Sequence, residues 1–247
     1  MPKSESSEPG SKLSKPGSRR PKPMSKRGRM HDAEGTREAI LNAAEEVFAQ
    51  QGFDGARVDA IAEKAGYNKS LIFQYFDDKL GLYAAVVRRA DDQTRFIQDD
   101  ALTDLRDMNV THSPVQLREL MGNYVGQYFD YLIEHQQIMR IFNWEMAEGW
   151  QTFTKIMTQR DFEDVEVFTP VFQKLQKAGL LRSKVDPMLQ FTSALFTCHV
   201  YLAILPLYKV LLPEMDYSSP EQLKLAREFV IEFIVNGFLI TPVEAKP

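Results

Sequence analysis

Residues 57 to 79 read Arg-Val-Asp-Ala-Ile-Ala-Glu-Lys-Ala-Gly-Tyr-Asn-Lys-Ser-Leu-Ile-Phe-Gln-Tyr-Phe-Asp-Asp-Lys, a pattern of two short helices joined by a tight turn. Val58, Ile61, Ala62 and Ala65 fall at i, i+3, i+4 and i+7, which gives the first helix one narrow apolar stripe. Gly66 breaks that helix, because glycine adopts the positive φ a sharp reversal needs. Asn68 can then cap a second helix, and Tyr67 and Ile72 have the spacing of a hydrophobic staple across its start. In the second helix Ile72 and Phe76 face inward with Tyr75 at the edge, while Lys69, Ser70, Phe73 and Gln74 share the other face. The unit matches a helix-turn-helix, whose second helix enters the major groove of DNA. On spacing alone an ordinary helical hairpin fits equally well.

Flanking segments favour the first reading. Thr-Arg-Glu-Ala-Ile-Leu-Asn-Ala-Ala-Glu-Glu-Val-Phe-Ala-Gln-Gln-Gly-Phe (36 to 53), Asp-Ala-Ile-Ala-Glu-Lys-Ala-Gly (59 to 66) and Asn-Lys-Ser-Leu-Ile-Phe-Gln-Tyr-Phe-Asp-Asp-Lys (68 to 79) occur in fixed order. Together, from Thr36 to Val87, they resemble the N-terminal domain of the TetR family of transcriptional regulators. The resemblance implies an all-α protein: a three-helix helix-turn-helix DNA-binding domain followed by a helical ligand-binding and dimerisation domain. It covers about a fifth of the chain, and the remainder is similar only in helical character.

Charge is unevenly distributed. The 247 residues carry a net −4, but residues 1–30 hold nine Lys or Arg against two Glu, so a +7 arm precedes a −11 body. The arm is rich in Pro, Gly and Ser and poor in large apolar residues, so it is expected to be disordered, with Lys22, Lys26, Arg27 and Arg29 available to follow a DNA backbone. A solvated tail without a role fits the same composition. The expected organisation is a basic arm over 1–30, a DNA-binding domain over 31–80 and a regulatory and dimerisation domain over 81–247. The N-terminus has no signal-peptide h-region, and the longest apolar stretch, Phe191 to Leu212, is interrupted by His199, Pro206 and Lys209, which argues against a membrane span. A single cysteine, Cys198, leaves no intramolecular disulfide and fits a cytoplasmic location.

Helix signals continue through the chain. A first helix is expected from a cap between Asp32 and Thr36 to Gln51, ended by Gly52, and a fourth from Lys79 to about Gln98 with Leu80, Tyr83, Val86, Val87 and Ala90 on one face. Later helices are expected over Pro114–Glu134, Gln136–Glu148, Trp150–Ala178, from Pro187 to a kink or end at Pro206, and over Pro220–Asn236, with Gly237 as the final stop. The last should carry Leu223, Ala226, Val230, Phe233, Ile234 and Gly237 on one stripe.

DNA reading is expected from the second helix of the motif. Lys69 suits a phosphate or a guanine edge, Gln74 can pair bidentately with adenine, and Leu71 can touch a thymine methyl; Ser70 shares this surface. The resemblance implies phosphate contacts at Tyr75 and Lys79. It also exposes two departures: Phe73 replaces a tyrosine whose hydroxyl holds phosphate, and Arg57 replaces a Thr or Ser cap but can meet a phosphate itself. In the body, Tyr124, Tyr128, Met139, Phe142, Asn143, Trp144, Phe172 and His199 are the candidates for a small-molecule effector site, alongside Phe153, Met157 and Phe196; most such residues are ordinary packing. Glu145 and Glu148, three apart in Trp-Glu-Met-Ala-Glu-Gly-Trp (144 to 150), read as solvated.

The resemblance further implies a homodimer through the last two long helices and, most often, repression. A non-specific DNA-coating protein relying on the arm is the alternative. An enzyme fits poorly: the four histidines lie on separate elements without metal-ligand spacing, no catalytic set or glycine-rich phosphate loop is present, and neither metal nor cofactor is expected.

Overall fold

The computed structural model describes residues 26–107, 114–157, 163–182 and 185–240. Two compact units divide the chain, Met1–Thr36 and Arg37–Pro247. Of the first, residues 26–36 are described and are helical; the rest of the basic arm lies outside the described residues.

Ten helices are described in order: α1 (Lys26–Gly55), α2 (Val58–Ala65), α3 (Lys69–Phe76), α4 (Lys79–Asp107), α5 (Pro114–Glu134), α6 (Gln136–Ala147), α7 (Gln151–Met157), α8 (Glu163–Lys177), α9 (Pro187–Leu211) and α10 (Pro220–Phe238). Among the described residues extended pairing is limited to one isolated bridge, Leu181 to Leu239. The first helix starts at Lys26, upstream of the expected cap between Asp32 and Thr36. Gly52 interrupts α1 with φ 67° and ψ −179°, but one further turn follows to Gly55.

In the second unit the sequence builds two apolar cores. One gathers Ile40, Leu41, Ala44 and Phe48 of α1, Ile61 of α2, Ile72 and Phe76 of α3, and Leu82, Tyr83 and Val86 of α4, together with Ile138, Ile141 and Ile156 from α6 and α7. The other joins α5, α8, α9 and α10 around Val125, Phe129, Phe172, Phe191 and Val230. Burying a side chain of this size stabilises the fold by about 1.5–3 kcal/mol. α4 serves both cores, with Ala90 in the first and Ile97 and Ala101 in the second.

Several expectations change. Of the single helix expected over 150–178, α7 and α8 are described, and residues 158–162 between them lie outside the described residues. Pro206 does not end α9, which continues to Leu211; a proline removes one backbone donor, and Leu202 and Leu205 on the preceding turn keep their packing against the core. By length and composition α9 is long and apolar enough to cross a membrane, despite His199, Pro206 and Lys209; its inner side, with Phe191, Cys198, His199 and Leu202 buried, belongs to the bundle. α10 passes through Gly237 to Phe238. Phe233 does not join the buried stripe of Ala226, Val230 and Ile234: it is 58% exposed and lines up with Leu225 and Phe229 on an exposed flank of the helix. At 100° per residue Phe233 lies only about 20° from Ala226, at the margin of the buried stripe, so periodicity alone includes it.

The end of α10 is clamped. Arg182 N–H donates to Phe238 O (3.1 Å) and Ile240 N–H to Leu180 O (2.9 Å), while Arg182 Nε donates to the carbonyls of Asn236 (2.6 Å) and Leu239 (3.0 Å). The three bonds from Arg182 satisfy carbonyls that the C-terminus of α10 leaves open.

Candidate DNA-reading face and regulatory cavity

The turn between α2 and α3 forms as its residue types dictate. Gly66 sits at φ 75° and its N–H closes α2, while the Asn68 side chain accepts from Leu71 N–H at 2.8 Å and opens α3. Ile72 and Phe76 are buried, so the helix has only one rotation about its axis, and Lys69, Ser70, Phe73 and Gln74 stand in solvent. Leu71 and Tyr75 are half-buried at the margins. Arg57 is exposed in extended backbone just before α2, and its side chain makes no cap bond.

Two of the expected phosphate ligands have partners within the chain. Lys69 Nζ lies 3.0 Å from Asp59 Oδ2 of α2 and over the Phe73 ring at 5.9 Å. Both side chains of that pair are exposed, so its strength is small, at most about 1 kcal/mol, and a phosphate can replace the carboxylate. Lys79 donates to Asp54 O at 3.3 Å and stacks over Phe53 at 4.6 Å; partial burial lowers its pKa, opposed by the charge of Asp54.

The passage from α3 into α4 is tight. Asp77 adopts φ 62°, Asp78 accepts from Gly81 N–H at 2.7 Å, and a Cβ on Gly81 would lie 2.1 Å from Phe76 O. Arg89 of α4 then ties back to α1, donating to Asn42 at 2.7 Å and pairing with Glu38 and Glu45.

The eight effector candidates separate. Tyr124, Tyr128 and Phe142 line a cavity of about 210 Å³, together with Phe153 and Met157. Met139 and Asn143 instead line an open cleft of about 450 Å³ beside Arg140 and Lys209. Trp144, Phe172 and His199 line neither. Phe172 is core, its ring 4.9 Å from Phe191 and 5.7 Å from Phe238. His199 stands behind the smaller cavity: its Nε2 is 2.6 Å from the Tyr128 hydroxyl, its Nδ1 has no hydrogen-bond partner, and burial pushes its pKa down to about 4. Burial also raises the Tyr128 phenol and takes the adjacent Cys198 thiol up to about 12, so these groups are uncharged at neutral pH.

Trp144 belongs to the junction between the reading end and the body. Its indole N–H donates to Ala49 O at 3.2 Å, and its ring is the nearest group to Gly52, 3.1 Å from where a Cβ would be. Glu145 corrects the reading of a solvated carboxylate. It is 1% exposed, accepts from the Tyr83 hydroxyl at 2.6 Å and from Phe153 N–H at 3.0 Å, and thereby links α4, α6 and α7. Burial first, and Glu145 second, raise the Tyr83 pKa, so the phenol keeps its proton and donates it. Glu148 is half-buried; burial, then the charges of Asp54 and Glu145, raise its pKa.

Sequence reasoning missed the α4 wall of the smaller cavity: Val87, Ala90, Asp91 and Thr94. The signal was present, since Asp91 and Thr94 continue the helical spacing of Val87 and Ala90 and place polar groups on an otherwise apolar stripe. Among the described residues no group of three or more His, Cys, Asp or Glu could hold a metal.

Comparison with known proteins agrees with this arrangement. Residues 40–86 match the family model described as bacterial regulatory proteins, tetR family, and residues 118–234 match the tetracyclin repressor-like C-terminal domain. The chain is similar to the HTH-type transcriptional repressor NicS of Pseudomonas putida, 28% identical over 70% of this chain and 78% of the relative. It is also similar to the HTH-type transcriptional regulator RutR of Escherichia coli, 33% identical over 49% of this chain and 52% of that protein. Against RutR, the match therefore spans about half the relative's length. A TetR family regulator from Marinobacter aquaeolei shares the fold with a TM-score of 0.60 at 20% identity, over 86% of this chain and all of the other. The transcriptional regulator SCO4942 of Streptomyces coelicolor does so with 0.53 at 22%, over 82% and 98%. With a DNA-reading helix at one end, a helical body at the other and both family models matched in order, the chain belongs to the TetR family and is a DNA-binding transcriptional regulator.

Proposed function

We propose that the protein is a ligand-responsive repressor that binds a palindromic DNA site as a homodimer. The observation that carries this reading is α4. It begins at Lys79, three residues after the recognition helix α3 ends, and eight residues on it becomes a wall of the 210 Å³ cavity. A ligand that favours one position of α4 therefore biases the position of α3. To convert a 1:99 population into 99:1, the ligand must prefer one state by about 10⁴-fold, or roughly 5.5 kcal/mol.

Dimerisation is supported by the outward faces of α9 and α10. Val200, Ile204 and Leu207 on one and Leu225, Phe229 and Phe233 on the other are large apolar side chains 39–59% exposed, and such a patch is unusual on a monomer. A twofold pairing presents two copies of α3 to major grooves about 34 Å apart. Within each half-site, Lys69 and Gln74 contact base edges, Ser70, Leu71 and Phe73 complete that surface, and Arg57, Tyr75 and Lys79 hold the backbone. Repression follows the role of NicS, a transcriptional repressor to which the chain is similar.

Selection from random double-stranded oligonucleotides by the purified protein at physiological salt tests this. A palindromic consensus bound as a dimer supports the reading. Gln74→Ala should relax preference at one base position, a loss of about 1–3 kcal/mol of discrimination, and Lys79→Ala should weaken all sites alike. Binding that depends on residues 1–30 but not on Gln74 would instead indicate a non-specific DNA-coating protein.

A further inference from the structure

Away from the cavity behind α4, the body has a second opening of different chemistry. The cleft of about 450 Å³ lies between α5, α6, α9 and the start of α10. Its floor is apolar, with Leu132, Met139, Leu202, Leu205, Pro206 and Leu223 lining it. The described lining residues also include two cations, Arg140 of α6 and Lys209 of α9, and no Asp or Glu.

Both cations are exposed, and among the described residues neither forms an ion pair. Arg89 and Arg227 differ, because their guanidinium groups are committed to Glu45 and Asp130. Arg140 also borders a polar hollow with Glu45 and Glu134; Glu45 is held by Arg89, and neither carboxylate lines the cleft. Asn143, one turn along α6 from Arg140, adds an amide to the same wall. Two cations above an apolar floor, with no carboxylate among them, leave a positive potential that an anion can neutralise. The planar fork of an arginine is matched to a carboxylate in particular.

Dimerisation through the outward apolar face of α9 does not cover this side. At 100° per residue Leu202, Pro206 and Lys209 lie about 140–160° round α9 from Ile204, which belongs to that face. Size sets the length of a ligand. A cavity of about 150 Å³ accommodates benzene, so one about three times larger has room for an unbranched chain of roughly eight carbons.

We infer that this cleft binds an amphipathic carboxylate, its head group held by Arg140 and Lys209 and its hydrocarbon chain laid along Leu132, Met139, Leu202 and Leu223. The inference goes beyond the ligand-responsive reading, which concerns the cavity behind α4, and it is decided by binding alone. Three probes of equal chain length and different charge test it: octanoate, octan-1-ol and octylammonium. In calorimetric titrations of the full chain, octanoate should bind at least about tenfold tighter than either of the others, and shortening it to hexanoate should weaken binding about fourfold or more. Arg140→Gln/Lys209→Gln should weaken octanoate about tenfold and change octan-1-ol by less than about twofold. Arg140→Glu/Lys209→Glu should invert the order, so that octylammonium binds tighter than octanoate.

Octanoate that binds no tighter than octan-1-ol overturns the inference, as does octanoate affinity that survives the double glutamine variant. So does a failure of octanoate to bind the folded protein. Equal losses of all three probes in the glutamate variant would mean that the two cations maintain the shape of the cleft rather than hold a ligand, and would overturn it as well. DNA affinity is not among the readouts, so failure here leaves the repressor reading untouched.

Discussion

At the reading end, Lys69, Ser70, Phe73 and Gln74 stand in solvent on a helix of eight residues that is closed at its start by the Asn68 cap and anchored by Ile72 and Phe76. In the body, by contrast, Glu145, Thr152 and His199 are buried, and Glu145 and His199 are held by partners far away in the chain: Tyr83 and Tyr128 respectively. Polar groups in solvent leave stability almost unaffected and are free to contact another molecule. Those in the interior are stable only in the arrangement that satisfies them, so a small displacement near a ligand changes their energy by kcal/mol. The exposed face of α3 and the interior of the body are therefore sensitive to different things: the first to contact with another molecule, the second to displacement of its own neighbours.

The largest expected effect tests the joint between the two. Gly81→Ala forces a Cβ to within 2.1 Å of Phe76 O and so must displace either α3 or the start of α4. We expect a loss of about 4 kcal/mol or more in urea unfolding, with DNA binding lost in parallel. A variant with near-parental stability would mean that α3 and α4 are not held rigidly together.

Next comes pH. His199 has a folded pKa of about 4, below its unfolded value near 6.5, so the unfolded chain binds more protons between these limits. The contribution is present above pH 6.5 and is lost as pH falls toward 4, by roughly 3 kcal/mol in total. Unfolding curves at pH 7 and pH 4.5 should differ by less in His199→Gln than in the parent. An equal difference would place the acid sensitivity elsewhere.

Glu145→Ala should cost about 2 kcal/mol, because it leaves the Tyr83 hydroxyl and the Phe153 N–H without their acceptor. A double-mutant cycle with Tyr83→Phe measures the coupling, and strict additivity would sever the proposed link between α4 and α6. At the other extreme, Gln74→Ala on the reading face should change the unfolding free energy by no more than about 0.5 kcal/mol. A larger change would show that the reading face also serves the fold.

The reading end was legible in the sequence because its determinants are local. Gly66 and Asn68 act on backbone groups within three residues, and the inward stripe of Ile72 and Phe76 lies within one helix. In sequence Glu145 reads as solvated because its spacing from Glu148 is visible there while its acceptor role toward Tyr83, 62 residues away, is not. By composition Trp144 and Phe172 group with cavity residues, yet one is drawn to Ala49 by its N–H and the other packed by its neighbours. Phe233 illustrates a further limit: an apolar residue on a helix can face the core or a partner, and the periodicity of one chain does not separate the two.

The clamp at Arg182 has a mechanical consequence. It fastens the root of α10 to the segment that leads into α9, and at the opposite end Leu211, Leu212 and Met215 of the connection are exposed. The α9–α10 pair thus resembles a beam fastened at one end, with packing along its inner side and its far tip exposed. Local opening is therefore expected near residues 211–219, where backbone amides should exchange with solvent faster than those beside Leu239.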